Sequence, residues 1–365
     1  MKSFLVSQNE AGQRLDKLLS KYMDTAPKSF FYKMLRKKNI TLNGKKADGS
    51  EKVAEGDEIR LFLSDETIAG FQSGKKSDAV VRSGMTSADR VENCANKREI
   101  PMLRSHEIVY EGKHLLIVNK PAGELSQKAK KDDISINERI VEYLRVTHGI
   151  GLDSFTPGVC NRLDRNTTGL LIAGKSLAGL QEAAELLKHR TLHKYYLCIV
   201  EGKAEKPKHL TGYLKKEEST NTVTVISVEE FKKKGLNPKE YDRIETALIP
   251  LVTNGAETLL AIQLITGKTH QIRAHLASIG LPLLGDTKYG TVNHRLHLKY
   301  QLLHAYMLKF PTLSGALSEV SETVITAEPP AKFSKVAEEL FRKEEWKNAV
   351  MEFKRLKGLR TGGAD

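Results

Sequence analysis

The densest chemistry in this chain lies in one short run, Asn161-Arg162-Leu163-Asp164-Arg165-Asn166-Thr167-Thr168-Gly169. One carboxylate stands between two arginines, and neighbouring positive charge favours its ionised form. Asn, Thr and Gly beside it suit a tight loop that hydrogen-bonds its own backbone. The apolar run Leu170-Leu171-Ile172-Ala173 follows. An acid on a loop braced by a buried strand is a common placement for a catalytic group. Read from these residues alone, an Arg–Asp ion pair that merely ties the loop down explains the pattern as well.

A second run, Gly267-Lys268-Thr269-His270-Gln271-Ile272-Arg273-Ala274-His275, follows the apolar Leu264-Ile265. Here a strand ends at a glycine and a helix begins, so free backbone N–H groups beside Lys268 would welcome phosphate. Arg273, about one turn into that helix, is spaced to reach an inward-facing carboxylate. His270 and His275 stand five apart, on different helix faces, with no carboxylate or cysteine joining them, so they read as structural and not as metal ligands. A third run, His193-Lys194-Tyr195-Tyr196-Leu197, is strand-like. Its two tyrosines point to opposite faces, so one can enter a site while the other packs outside. An aromatic plate can stack on a base taken out of its helix, although most strand tyrosines simply pack. A fourth, Val118-Asn119-Lys120-Pro121-Ala122-Gly123, is a strand breaking into a turn and says little by itself.

The elements that must position these residues follow from periodicity. Over 13–23, Leu15, Leu18, Leu19 and Tyr22 share one helical face. A second helix over 27–38, with Pro27 in its first turn, buries Phe30, Phe31, Met34 and Leu35 and turns Lys28, Lys33, Arg36, Lys37 and Lys38 outward. A strand over 40–42 meets Asn43-Gly44, a hairpin signal, with Lys45 and Lys46 directly after it. From about 65 to 105 Ser, Gly, Lys, Asp and Asn dominate without hydrophobic period, which reads as a flexible linker. Beyond it, strands are expected over 115–119, 170–173, 195–200, 222–226, 246–251 and 259–265, and helices over 136–148, 177–189 and 269–279. The strands do not alternate one-for-one with helices, which argues for an α+β fold with a mixed, largely antiparallel sheet. Residues 333–365 read as a charged amphipathic helical tail, solvated rather than packed.

Composition bounds the classes. A chain of 365 residues favours two domains. A formal net charge of +13 favours polyanionic partners, nucleic acid before an anionic membrane. Cys94, Cys160 and Cys198 are scattered and odd in number, which argues against a disulfide scaffold and for a reducing compartment. No apolar run approaches the roughly 18–20 residues of a membrane span, and the N-terminus turns polar too soon for a signal peptide, so a cytoplasmic location is expected.

Taken together, the four motifs resemble the RluA-type family of RNA pseudouridine synthases. The family's core motif, H-R-L-D-R-x-[ST]-[ST]-G, corresponds to residues 161–169, and its G-R-x-H-Q-I-R-x-H to residues 267–275, continuing into Gly285-Asp286-Thr287-Lys288-Tyr289-Gly290. Its N-K-P-x-G turn and K-x-Y strand match at Asn119, Lys120, Pro121 and Gly123 and at Lys194 and Tyr196. Asn161 stands where the family has histidine and Lys268 where it has arginine, and Lys is less well shaped for bidentate contact. The resemblance covers roughly 106–332. Residues 1–64 resemble an S4-type RNA-binding module, through Arg14-Leu15-Asp16, the basic second helix, Ile40-Thr41-Leu42-Asn43-Gly44 and Gly56-Asp57-Glu58-Ile59.

The resemblance implies a four-part chain: an S4-like α/β domain over 1–64, a linker over 65–105, a pseudouridine synthase domain over 106–332 and the tail. It implies isomerisation of specific uridines in structured RNA, large-subunit ribosomal RNA first and transfer RNA second, with base flipping and without cofactor or metal. It makes Asp164 the nucleophile, Arg273 its pairing partner and Tyr196 the plate under the target uracil. Arg162 is placed to fill the gap left by the flipped base or to hold RNA backbone. Arg165, Lys194 and Lys268 are candidate phosphate contacts, as are Lys33, Arg36, Lys37, Lys38 and Lys45 on the first module. A monomer without membrane partners is expected. Two other classes stay open: a non-catalytic RNA-binding or ribosome-assembly protein on the same fold, and an N-glycosidase. Free uracil or an abasic product would mark the latter, and a product of unchanged mass the isomerase.

Overall fold

The computed structural model describes residues 2–7, 10–72, 100–130, 132–149, 155–217, 220, 222–290 and 296–358. The chain divides into two compact units. One comprises Met1–Leu103, Glu138–Gly158 and Gly174–Gln181, the other Arg104–Asn137, Val159–Ala173 and Glu182–Asp365.

In the first unit β1 (Lys2–Leu5), β2 (Ile40–Leu42), β3 (Lys45–Lys46) and β4 (Glu58–Leu61) form an antiparallel sheet in the order β1-β4-β2-β3. The β2–β3 hairpin turns at Asn43 and Gly44, both at positive φ (50° and 73°), the geometry that makes this residue pair a hairpin signal. Helices α1 (Leu15–Tyr22) and α2 (Lys28–Arg36) bury Leu15, Leu18, Leu19, Phe31 and Leu35 against the sheet's Ile40, Ile59 and Leu61. Phe30 and Met34 are only partly buried, while Lys28, Lys33, Arg36, Lys37, Lys38, Lys45 and Lys46 all face solvent. Helix α3 (Asp65–Gly70) opens the stretch expected to be linker. Ser64 caps it by accepting the Thr67 N–H at 3.2 Å, and Ile68 joins the core. Thus two apolar residues, Ile68 and Phe71, extend order past 64, where composition alone suggested none. Of the rest of that stretch, 73–99 lies outside the described residues, and at its far end Leu103 is buried. The same unit takes in most of α4 (Ile136–His148).

The second unit is built on an eleven-stranded sheet. Its strands are β5 (Ile108–Glu111), β6 (Leu115–Lys120), β7 (Gly158–Val159), β8 (Thr168–Gly174), β9 (His193–Glu201), β10 (Lys208–Glu217), β11 (Thr222–Ser227), β12 (Asp242–Thr253), β13 (Glu257–Leu264), β14 (Leu303–Lys309) and β15 (Val324–Thr326). The order is β11-β10-β12-β13-β9-β14-β8-β6-β5, with β15 on β14 and β7 on β8. The registered pairs are antiparallel except β14–β8, so the sheet is mixed and largely antiparallel, as expected. Helix α5 (Leu177–Lys188) is divided between the units after Gln181, and α6 (Val228–Lys233) and α7 (Gln271–Ser278) belong with this sheet. Where β8 runs beside β14, Gly169 has φ +109°, and a Cβ there would fall 2.3 Å from the Ala305 carbonyl oxygen. Only glycine permits that approach.

Five strands of this sheet escape sequence periodicity, the short β5, β7 and β15 and the longer β10 and β14. β10 buries only Gly212 and Leu214, because backbone pairing on both its edges holds it, not side-chain burial. β14 carries the polar His304, wholly buried, whose ring is satisfied by Thr168 Oγ1 at 2.8 Å and the Ala327 carbonyl at 2.8 Å. The expectation of a solvated tail is corrected. Helices α8 (Ala331–Leu340) and α9 (Lys343–Gly358) pack Phe333, Val336, Trp346, Val350 and Phe353 into one core with Tyr195, Leu197 and Ile199 of β9. The outward lysines and glutamates of this stretch dominate its composition and mask a narrow apolar stripe.

Candidate active site

The run 161–169 forms a loop between β7 and β8, fastened from several sides. Asn161 Oδ1 accepts the Ile172 N–H at 2.8 Å, so the residue standing in for a histidine pins the loop's entry to β8. Ser126 Oγ donates to the Leu163 carbonyl at 2.8 Å and accepts the Leu163 N–H at 2.9 Å. Lys120 is wholly buried and spends its three N–H donors on the carbonyls of Pro121 (2.9 Å), Glu124 (2.8 Å) and Arg165 (2.9 Å). Burial pulls its pKa down to about 8, against the fields of Glu124 and Asp164 that raise it. Neither Ser126 nor Lys120 stood out in the sequence as a site residue. Lys120 lay in the turn motif that by itself said little, and its role depends on three carbonyls meeting one ammonium.

This loop presents Asp164 to a cleft of about 840 Å³, within the range of ligand-binding clefts. Arg273 on α7 donates from Nη1 to Asp164 Oδ2 at 3.1 Å. The other side of the same guanidinium makes a fork onto Asp286, Nε to Oδ2 at 2.7 Å and Nη2 to Oδ1 at 2.8 Å. Asp286 is wholly buried and also accepts the N–H groups of Lys288 (2.9 Å) and Tyr289 (3.2 Å). Burial opposes charge on both partners. The mutual hydrogen bonds and attraction outweigh it, leaving the Arg273 pKa raised and the Asp286 pKa lowered. Asp286 therefore fixes the arginine, and the arginine fixes one oxygen of Asp164. The other oxygen, Oδ1, has no hydrogen-bond partner among the described residues.

Tyr196 also lines the cleft, paired in register with Ile262 of β13 and Ala305 of β14. Burial, then Asp164, raises its pKa, so its hydroxyl stays protonated at neutral pH. Tyr195 points the other way, into the core against Phe353 at a ring separation of 5.5 Å. Arg162, Arg165, Lys194 and Lys268 all line the cleft. Lys268 is engaged by Asp242 at 2.6 Å, whereas Lys194, whose pKa burial and Arg190 lower, has no ion-pair partner among the described residues. Arg190 and Lys288 join the same wall, and neither was singled out as a cleft cation by the sequence. Lys33, Arg36, Lys37, Lys38 and Lys45 lie on the first unit and do not line this cleft. The two histidines have separate settings. His275 is buried against Thr246 Oγ1 at 3.1 Å, and His270 faces the cleft. Among the described residues no group of three or more His, Cys, Asp or Glu could hold a metal ion.

A cation-lined cleft around one anchored carboxylate and one aromatic ring suits acid–base or nucleophilic work on a flat, polyanionic substrate. Residues 114–278 match the RNA pseudouridylate synthase family. The chain is 28% identical over 316 residues to the ribosomal large subunit pseudouridine synthase C of Haemophilus influenzae, covering 85% of this chain and 87% of that one. To the ribosomal large subunit pseudouridine synthase D of Nitrosomonas europaea it is 28% identical over 312 residues, covering 83% and 78%. The fold is shared with human RNA pseudouridylate synthase domain containing 4, at a TM-score of 0.52 and 22% identity over 65% of this chain and 93% of that one. The motifs, the fold and these relatives place the chain in the RluA-type family of RNA pseudouridine synthases, and it is an enzyme of the isomerase class.

Proposed function

We propose that the cleft converts specific uridines to pseudouridine in structured RNA, large-subunit ribosomal RNA above all. The observation that carries this is the anchored pair in the cleft: Asp164 held through Oδ2 by a guanidinium that Asp286 locks, with Oδ1 unbonded among the described residues, in a cleft that Tyr196 also lines. In the reaction the N1–C1′ bond breaks, the uracil turns, and a C5–C1′ bond forms. The proton on C5 leaves and N1 gains one, so mass is unchanged. Asp164 is the nucleophile, with the free Oδ1 as its attacking atom. Arg273 orients the carboxylate, Tyr196 stacks on the uracil, and the C5 proton passes to solvent in the cleft. Arg162 fills the space of the flipped base, while Arg165 and Lys194 meet phosphate. Lys268 adds to this once RNA displaces Asp242. Residues 1–64 serve as an S4-like docking module through Lys33, Arg36, Lys37, Lys38 and Lys45. The enzyme acts as a cytoplasmic monomer.

The test incubates purified wild type and Asp164→Asn with unmodified ribosomal RNA and, in parallel, transfer RNA, then maps pseudouridines chemically. Wild type should convert ribosomal uridine at unchanged RNA mass, and Asp164→Asn should convert none while binding RNA. Release of free uracil, conversion confined to transfer RNA, or full activity in the variant would overturn the reading.

A further inference from the structure

His270 lies on the cleft floor and has no part in the reaction as set out above. It caps α7 with a left-handed backbone (φ 54°, ψ 14°), and its side chain is 10% exposed. Its ring is held by Tyr289, whose Oη lies 3.0 Å from His270 Nδ1. The same Oη accepts the Val223 N–H at 2.9 Å. Among the described residues Nδ1 is the acceptor within reach of the phenolic proton, so Tyr289 donates to it. That leaves the ring proton on Nε2. Burial, with help from Arg273 and Lys288 and against the pull of Asp164, disfavours a second proton, so the ring is neutral at neutral pH. Arg273 lies 5.2 Å from the Tyr289 ring centroid, which keeps the phenol from swinging away.

His270 Nε2 lies 3.9 Å from Asp164 Oδ2. That gap is too long for a hydrogen bond, and it is wide enough for one hydroxyl oxygen to sit about 2.8 Å from both. Resting on the pseudouridine reading, C1′ of the target comes to Asp164, and the 2′-oxygen is two bonds from C1′. We propose that His270 Nε2–H donates to the 2′-hydroxyl of the target uridine, which in turn donates to Asp164. His270 is thereby a specificity-determining residue that admits ribose and disfavours 2′-deoxyribose. Tyr289 is its positioning residue, because it sets which ring nitrogen carries the proton.

The experiment uses the full chain and an RNA fragment carrying a mapped target uridine, with ribose or with 2′-deoxyribose at that one position. Conversion of the ribose fragment by wild type is the separate check on the reading beneath. For the proposal, wild type should favour the ribose fragment by about tenfold in kcat/KM, the scale of one hydrogen bond in a partly buried site. His270→Phe should lose that factor on ribose and little on deoxyribose, so the preference collapses towards unity. His270→Gln, which restores an N–H at similar reach, should recover part of it. Tyr289→Phe leaves the imidazole in place but frees its tautomer, and should lower the preference part of the way. Wild-type indifference to the 2′-hydroxyl, equal losses on both fragments in His270→Phe, or an unchanged preference in both His270→Phe and Tyr289→Phe overturns the assignment.

Discussion

Replacing Asp286 by asparagine keeps its volume and removes one charge at a wholly buried point of the site. The carboxylate is 0% exposed and accepts four N–H groups, two from Arg273 and one each from Lys288 and Tyr289. The amide turns an NH₂ towards a guanidinium whose side chain is only 9% exposed, so a cation is left buried with donors facing it. Breaking one side of a buried pair costs about 3–5 kcal/mol, far above the 0–1 kcal/mol of an exposed bridge. Trp346, the single tryptophan, is buried in the core of the same unit, so its fluorescence follows unfolding of that unit in urea. The expected result is a lower midpoint at unchanged m-value, equivalent to a loss of about 3–5 kcal/mol. Activity should fall as well, because a guanidinium released from Asp286 turns more of its donors onto Asp164 and ties up the oxygen that must react. A loss below about 1 kcal/mol with wild-type conversion would refute the argument that Asp286 locks Arg273.

Two further outcomes are expected. His275 and His304 are buried, and burial lowers each to about 4, while an unfolded imidazole takes its proton near 6.5. The unfolded chain therefore binds more protons as pH falls from 6.5 towards 4; stability is full above that window and is lost within it, by about 2 kcal/mol per histidine at pH 5. Equal urea midpoints at pH 7 and pH 5 would contradict this. On the first unit, replacing the exposed Lys33, Arg36 and Lys37 by glutamine should weaken RNA binding and shallow its log–log salt slope by roughly 2–3, near one charge per lost phosphate contact. Filter binding across a salt series reads this directly, and an unchanged slope would remove α2 from the docking surface.

The sequence by itself carried the chemistry that is local or periodic. Leu15, Leu18 and Leu19 at helical spacing specify α1, and Asn43-Gly44 specifies its hairpin, because both depend only on near neighbours. Tyr195 and Tyr196 had to face apart, since successive strand residues do. The order of the four motifs was enough to indicate the family. What the tertiary structure alone decided is how the groups are held. Asp286 locks Arg273 across thirteen residues, Lys120 reaches Arg165 across forty-five, and Ser126 meets Leu163 across thirty-seven. No pattern in a linear chain encodes which buried donor will meet which carbonyl, because that is fixed by how strands and loops converge. The same convergence places His270 Nε2 against Asp164 and folds the charged tail onto β9 through Trp346, Val350 and Phe353. Burying Lys120, Asp286, His275 and His304 costs free energy unless each finds partners, and for each of them at least one partner comes from a distant segment.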